Sequence, residues 1–453
     1  MNDIKKPLEK TLAIAEKFIR DEEINPVLAY KSPQELWAEL DIRIGEKGLS
    51  EEVFFQVLED VVMATPKTAS KSFFNQLFGG RNMAALSGEI LAAVLNSSMY
   101  TFKVAGPQVL IEKEVVAKML EKVGYTQGDG TFSPGGSISN MIAMMVARNE
   151  KDKSIRNQGM DGRRFTAYTS EEGHYSTRKN AGILGLGREQ VRMIKSDDQG
   201  RMEIADLESQ IQEDLAMGYL PFFINSTAGT TVLGAFDPFA EIAAIARKYG
   251  IWFHIDGALG GSVVLSRKYR HLVQGCELSD SYTWNAHKMM NVPLTASIIL
   301  FNHENILRRH FSEKAEYLFQ GEDDFNPGDS SIQCGRKNDA LKVWAAWKYL
   351  GDEGYEQRIN RQYELAQYAA QYIKNDPILD LIQEPACVAV CFEVSGKSSM
   401  DICNVLNHEG LIKVGYGSAK KKKFIRMVCV DADMQESDID NFFEKVKQVS
   451  SDL

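Results

Sequence analysis

Lys288 closes the segment Trp284-Asn285-Ala286-His287-Lys288, within the run Asp280–Met290, which is otherwise poor in charge. An amine held among aromatic and thioether side chains is costly to keep protonated, so burial lowers its pKa and makes it a nucleophile toward an aldehyde. A solvated surface lysine is the ordinary alternative for any single lysine. The decision rests on what else the chain supplies.

Four other stretches supply partners for such an amine. Gly128, Gly130 and the run Ser133-Pro134-Gly135-Gly136-Ser137-Ile138-Ser139-Asn140 precede a helical pattern. Glycines there let the backbone approach closely, and the first-turn N–H groups with Ser137 and Ser139 make an anion site suited to phosphate. A tight turn explains the same glycines equally well, and the pattern is neither a dinucleotide fingerprint nor a nucleoside triphosphate loop. Ile251-Trp252-Phe253-His254-Ile255-Asp256-Gly257-Ala258 ends an apolar strand on a carboxylate. A buried acid needs a cation, which a protonated pyridine nitrogen would provide, and a small Ala258 leaves room for a flat ring. Capping of the next turn is the plainer role for Asp256. His174 and Thr227 sit in the polar turns Glu172–Ser176 and Thr227–Thr231, each just after a strand candidate. A lone histidine is more often structural than catalytic. Several polar turns at strand ends, however, describe one crevice. A phosphate cradle, a ring stacker, a buried acid and a Schiff-base lysine together point to pyridoxal 5′-phosphate.

The elements that must position these residues alternate. From about residue 74, β-branched runs at 165–168, 191–194, 222–225, 252–255, 282–284 and 297–301 alternate with helical patterns at 111–123, 138–148, 204–215 and 238–249. That alternation predicts a doubly wound α/β domain with a largely parallel sheet, whose ligands lie at the carboxyl ends of the strands. In the last of these helices Asp237 is expected to be the N-cap, Pro238 the first turn and Gly250 the C-cap. Residues 1–73 read as helices, with Leu8, Leu12, Ala15 and Ile19, then Leu36, Leu40 and Ile44, at helical spacing, and with Ser32-Pro33-Gln34-Glu35 as a capping box. Their apolar stripes need a partner surface, on another domain or another subunit. Residues 74–343 form the large cofactor-binding domain. Residues 344–453 form a small α+β domain, with helices at 340–350 and 355–373, strands at 388–392 and 424–429, and the lysine run Lys420–Lys423 as a solvated turn between two strands.

At 453 residues with 44% hydrophobic and 25% charged content, the chain is an ordinary globular protein, and a formal charge of −10 argues against nucleic-acid binding. No run reaches the ~20 apolar residues of a membrane span. Met1-Asn2-Asp3-Ile4-Lys5-Lys6 lacks the apolar core of a signal peptide, so a cytoplasmic location is expected. The six cysteines show no C-x-x-C pair and no zinc-finger spacing; reduced, mostly buried thiols and no metal are expected.

The chain resembles the group II pyridoxal-phosphate-dependent amino acid decarboxylases, in the branch of glutamate and cysteine sulfinate decarboxylases. The likeness runs from about residue 26 to 453 and is carried by Phe73-Phe74-Asn75-Gln76-Leu77, Phe132–Asn140, Gly234-Ala235-Phe236-Asp237-Pro238, Trp284–Lys288 and Tyr317-Leu318-Phe319-Gln320. It implies fold type I, with a mostly parallel seven-stranded sheet flanked by helices, a helical N-terminal dimerisation segment, a small C-terminal domain and a homodimer with active sites at the subunit interface. It further implies that Lys288 carries the cofactor, that His174 and Ala258 cover its two faces and that Asp256 pairs with its ring nitrogen. Gly136, Ser137, Asn285 and His287 would hold the phosphate, with Thr227 near the ring. Arg426 matches the substrate-carboxylate arginine, Gln76 lines the same pocket, and Tyr317 matches the loop tyrosine that, with His174 assisting, protonates the intermediate.

Ser98 and Tyr100 occupy positions where glutamate decarboxylases carry Asn and Phe, which favours a shorter acidic substrate, cysteine sulfinate or aspartate, over glutamate. Ala286 replaces the usual Pro, Leu259 the usual Trp, and the segment after Gln320 is shorter than in the animal enzymes. The competing readings are another fold-type I reaction such as transamination, which the Tyr317 motif opposes, and a catalytically silent binding or regulatory relative.

Overall fold

The computed structural model describes residues 5–24, 27, 30–313, 325–419 and 422–453. Tyr317 and Gln320, and Lys420 and Lys421 of the lysine run, fall outside them. The chain divides into two units, one of Met1–Gly80, Tyr368–Ile382 and Val390–Leu453, the other of Arg81–Gln367 and Gln383–Ala389.

The larger unit is built on a seven-stranded sheet: β1 (Asp129–Ser133), β2 (Phe165–Ser170), β3 (Val191–Ile194), β4 (Leu220–Thr227), β5 (Trp252–Gly257), β6 (Ser281–Asn285) and β7 (Ser297–Phe301), in the spatial order β1-β7-β6-β5-β4-β2-β3. The pairs β2–β3, β2–β4, β4–β5 and β5–β6 are parallel, and β7 runs antiparallel to both of its neighbours. Every residue of β2, β6 and β7 is buried, as in a sheet covered on both faces, which is why these strands read as unbroken apolar or β-branched runs. This is the mostly parallel sheet of fold type I.

Two details of this unit differ from the sequence expectations. β1 was not foreseen: Gly128 and Gly130 suggest a loop, yet a Cβ on Gly130 would lie 2.8 Å from Val116 Cγ1, so the glycine lets the strand pass close under the helix Pro107–Val123. Asp237 does not cap the following helix. Pro238 is the N-cap of Phe239–Tyr249, and the Asp237 carboxylate accepts the backbone N–H of Met202 and of Thr227, each at 2.7 Å. Gly250 ends that helix in the left-handed region, as expected (φ 62°). The helix Ala340–Asn375 is broken at Gly351 (φ 66°, ψ −177°), which marks the expected pair.

The smaller unit carries the sheet β10-β11-β9-β8, with β8 (Leu379–Leu381), β9 (Ala389–Val394), β10 (Gly415–Ala419) and β11 (Lys422–Val428). Phe74, Phe392, Phe442 and Phe443 form its aromatic core. Its N-terminal helices are Lys5–Ile24, Pro33–Glu39 and Glu51–Met63. Ser32 and Glu35 make the anticipated capping box. The second helix stops at Glu39, however, because Leu40 turns extended, and Ile44 lies in open solvent rather than on a helix. On the first helix it is Ile14 that faces inward, while Leu8 and Leu12 are half exposed. Five cysteines are buried free thiols and Cys334 is exposed.

Candidate active site

The carboxyl ends of β4, β5 and β6 and the N-terminus of the helix Gly136–Lys151 surround a cavity of about 220 Å³. β6 and the turn after it contribute Asn285 and Lys288; β5 contributes Asp256, with Ala258 and Leu259 just beyond; β4 contributes Thr227, followed by Gly229 and Thr231. His174 and Tyr175 follow β2, and Gly136, Ser137 and Asn140 open the helix. Eight of the residues expected from the sequence therefore line one space, at the strand ends where a doubly wound sheet binds ligands. A larger groove of about 670 Å³, lined by Arg201, His271 and Gln383 among others, contains none of them. Size does not identify this site; the chemistry of its walls does.

Local geometry explains the residue types. Gly135 has φ 125°, a conformation open to glycine. A Cβ on Gly136 would lie 2.7 Å from Asn285 Nδ2, so only glycine lets that carboxamide come up to the helix end. Ser133, Ser139 and Ser297 hydroxyls form a chain (2.7 and 2.9 Å) that ends on Asn285 Oδ1 at 2.6 Å and fixes the carboxamide. Ser139, expected at the phosphate, is thus turned away from the cavity; Ser137 remains on its wall.

Asp256 is buried with both oxygens engaged: Oδ1 accepts the Ala258 N–H (3.1 Å) and Oδ2 accepts Asn140 Nδ2 (2.7 Å). The His174 Nδ1 faces Ser176, 2.8 Å from its hydroxyl, and accepts its N–H at 3.3 Å. Burial pushes the His174 imidazole below its ordinary pKa; Asp256 opposes the shift and Lys288 reinforces it. His287 is buried but does not line the cavity; its Nδ1 is taken by the Ala296 backbone at 3.0 Å, and burial pushes it down to about 4. Ser98 and Tyr100 do not line the cavity either. Gln76 and Arg426 belong to the smaller unit, where Arg426 Nη2 donates to the Asn75 carbonyl at 2.9 Å. Tyr317 lies outside the described residues.

Asn140, Tyr175 and Leu259 line the cavity without having been given a role in it. Tyr175 lies against His174, ring centroids 4.2 Å apart. Leu259, which replaces the Trp usual in the resembled family, lies on the cavity wall. Asn140 lies four residues beyond Gly136, one helical turn on, so helical spacing alone could have placed it on the same face.

Fold and cavity define a fold type I pyridoxal-phosphate enzyme. The pyridoxal-dependent decarboxylase conserved domain matches residues 33–395, and the chain belongs to that family. Cysteine sulfinic acid decarboxylase of Mus musculus is 39% identical over 452 residues, covering 94% of this chain and 92% of the relative. Acidic amino acid decarboxylase GADL1 of the same species is 36% identical over 467 residues, covering 98% and 85%. The crystal structure of mouse CSAD in apo form superposes with a TM-score of 0.93 at 37% identity, covering 99% of this chain and 100% of that one. The protein is a carboxy-lyase that works with pyridoxal 5′-phosphate. Its cavity fits that group: the Thr227 hydroxyl is buried with no hydrogen-bond partner among the described residues, and the Gly136 cradle admits nothing larger than hydrogen.

Proposed function

We propose that this enzyme removes the α-carboxylate of a small acidic L-amino acid, with cysteine sulfinate or aspartate preferred over glutamate. The observation that carries the reading is the meeting of Lys288, Asp256, His174 and the Gly136 helix end around one cavity, in a chain whose relatives are named for cysteine sulfinic acid and acidic amino acids.

Bound pyridoxal phosphate supplies an aldehyde for an amine and a protonated ring that withdraws electrons from the bond being broken. The protein supplies attachment, orientation and proton control. Lys288 is the attachment amine. Gly136 and Ser137 would offer helix-terminal N–H groups to the phosphate, with Asn285 beside them; His287, its Nδ1 held by Ala296, does not line the cavity. Asp256 keeps the proton on the ring nitrogen. His174 and Ala258 would hold the ring between them, and the Thr227 hydroxyl would be available to the cofactor. Arg426, with Gln76, would bind the substrate carboxylate. Tyr317, assisted by His174, returns a proton to Cα. Exclusion of water at that stage suppresses transamination.

The half-exposed Leu8 and Leu12 and the exposed Trp37 suit burial against a second copy, and a cytoplasmic homodimer with interface active sites belongs to the same reading. The test is a side-by-side panel of cysteine sulfinate, aspartate and glutamate, measuring carbon dioxide against keto acid. Carbon dioxide with the first two exceeding glutamate is expected; keto acid as the main product would refute decarboxylation, and glutamate preference would refute the substrate order.

A further inference from the structure

Behind the cavity wall lies a chain of buried polar groups that the roles above leave unused. Asn140 is 4% exposed, and His254 and Ser281 are fully buried. The Asn140 carboxamide points Nδ2 at Asp256 Oδ2 (2.7 Å), with Ser176 Oγ at 3.4 Å from the same nitrogen. Ser176 Oγ is in turn 2.8 Å from His174 Nδ1. The other end of the carboxamide, Oδ1, meets His254 Nε2 at 3.1 Å, and His254 Nδ1 meets Ser281 Oγ at 2.9 Å. Ser281 Oγ accepts Trp252 Nε1–H at 2.8 Å.

The donors along this chain run in one direction. An ionised carboxylate only accepts, so the Asn140 NH₂ must face Asp256 and its oxygen must face His254. His254 Nε2 must therefore carry hydrogen. Burial holds His254 down to about 4, so the ring is neutral and Nδ1 is the acceptor, taking the Ser281 hydroxyl proton. The Ser281 oxygen then has a lone pair for Trp252. One tautomer and one carboxamide orientation satisfy every link, and reversing either leaves two donors or two acceptors face to face.

We propose that Asn140 is a positioning residue that fixes, through one carboxamide, both the ring-nitrogen carboxylate Asp256 and the stacking histidine His174, and that His254 locks the direction of that carboxamide. The proposal rests on Asp256 being the partner of the ring nitrogen. Without the lock, the carboxamide can present oxygen to Asp256, and two acceptors facing each other would favour moving the ring proton onto the carboxylate. The electron withdrawal that cleavage needs then weakens while substrate binding, which uses other residues, is spared.

The test uses holoenzyme loaded with ring-¹⁵N pyridoxal phosphate. In N140L and H254F the ring-nitrogen signal should move toward the unprotonated position. kcat should fall by roughly 10- to 100-fold, the range seen when groups behind metal ligands are removed, with little change in KM. H254Q places a carboxamide N–H near the Nε2 position and should restore the wild-type signal. Equal losses in H254F and H254Q would mean that an N–H at the Nε2 position does not set the carboxamide, and would overturn the proposal. A signal that D256A moves but N140L leaves unchanged overturns it alone; a signal that D256A also leaves unchanged overturns the role of Asp256 and the proposal with it. In the wild-type protein without cofactor, ¹⁵N spectra at neutral pH should show His254 as the neutral Nε2–H tautomer, and an imidazolium or the Nδ1–H form refutes the direction of the chain.

Discussion

Thr227→Val should make the cofactor-free enzyme more stable and the cofactor weaker bound, both through the same atom. Thr227 is 4% exposed and its hydroxyl has no partner among the described residues. It cannot turn away by moving the main chain: its N–H donates to Asp237 Oδ2 at 2.7 Å, its carbonyl accepts the Asp237 N–H at 3.1 Å, and it is registered against Asp256 in the sheet. A buried hydroxyl left unpaired costs about 1–3 kcal/mol, and valine has nearly the same shape without the polar atom. The apo form of T227V should gain that amount. If the hydroxyl serves the cofactor, its loss weakens binding by a similar 1–3 kcal/mol, ~5- to 150-fold in the dissociation constant. Because a ligand at free concentration L stabilises the folded state by RT ln(1 + L/Kd), T227V should melt above wild type without cofactor, and that lead should shrink, by up to the same ~1–3 kcal/mol, as pyridoxal phosphate is raised well beyond both dissociation constants. Thermal melts with and without pyridoxal phosphate, together with an absorbance titration, measure both effects, and T227S should track the wild type. A variant no more stable when apo and unchanged in cofactor affinity would refute the idea that this hydroxyl is held in reserve.

Lys288→Ala should abolish turnover and covalent cofactor attachment while the far-ultraviolet spectrum stays native; retained multiple turnover would remove the lysine from the chemistry. Exchanging Ser98 and Tyr100 for Asn and Phe should shift the kcat/KM ratio toward glutamate by ~10- to 200-fold, the range for one methylene of discrimination, and an unmoved ratio would show that these positions do not select. The pH dependence follows from His254 and His287, both pushed down to about 4 by burial. Their stabilisation is present above the ordinary histidine value and is lost as pH falls through about 4, on the order of 3 kcal/mol each. Asp237, pushed up to about 6 by burial, works against them: its share, also about 3 kcal/mol, is present below the ordinary carboxylate value and is lost as pH rises through 6. Acid should therefore destabilise the apo protein on balance, and H254Q should blunt the effect in urea titrations at stepped pH; an unchanged slope would count against a buried neutral His254.

The parallel strands were legible because burial on both faces demands apolar runs, and the strand ends told where polar turns would meet. β1 was not, since Gly130 serves close approach to Val116, a neighbour that no local pattern reveals. Asp237 has the local form of a cap, and a tertiary bond to the Thr227 backbone overrides it. Ser139 had the right type for phosphate but the wrong azimuth, its hydroxyl pointing to Ser133 and Ser297. Asn140 was visible only as part of a helix start, because its meaning depends on His254, 114 residues away in the chain.

The residues expected to choose the substrate stand on a different support from those that hold the cofactor. Met99, fully buried between Ser98 and Tyr100, exchanges hydrogen bonds with Arg336: its N–H donates to the Arg336 carbonyl at 2.9 Å and its carbonyl accepts Nη2 at 3.3 Å. Arg336 is itself clamped by Glu112 in a buried bidentate pair of 2.8 and 2.7 Å. Tyr100 packs on Gly328, where a Cβ would meet its ring at 2.5 Å, and its carbonyl accepts the Gly328 N–H. Removing one partner of such a buried pair costs about 3–5 kcal/mol, so the backbone of this segment is firmly set and only its outward side chains are free to vary. None of these supports touches Asp256, Asn140 or the Gly136 cradle. Exchanges at 98 and 100 are therefore expected to leave the geometry around Asp256 and the Gly136 cradle unchanged, so that a shift in substrate ratio in those variants would report on the choice of acid alone.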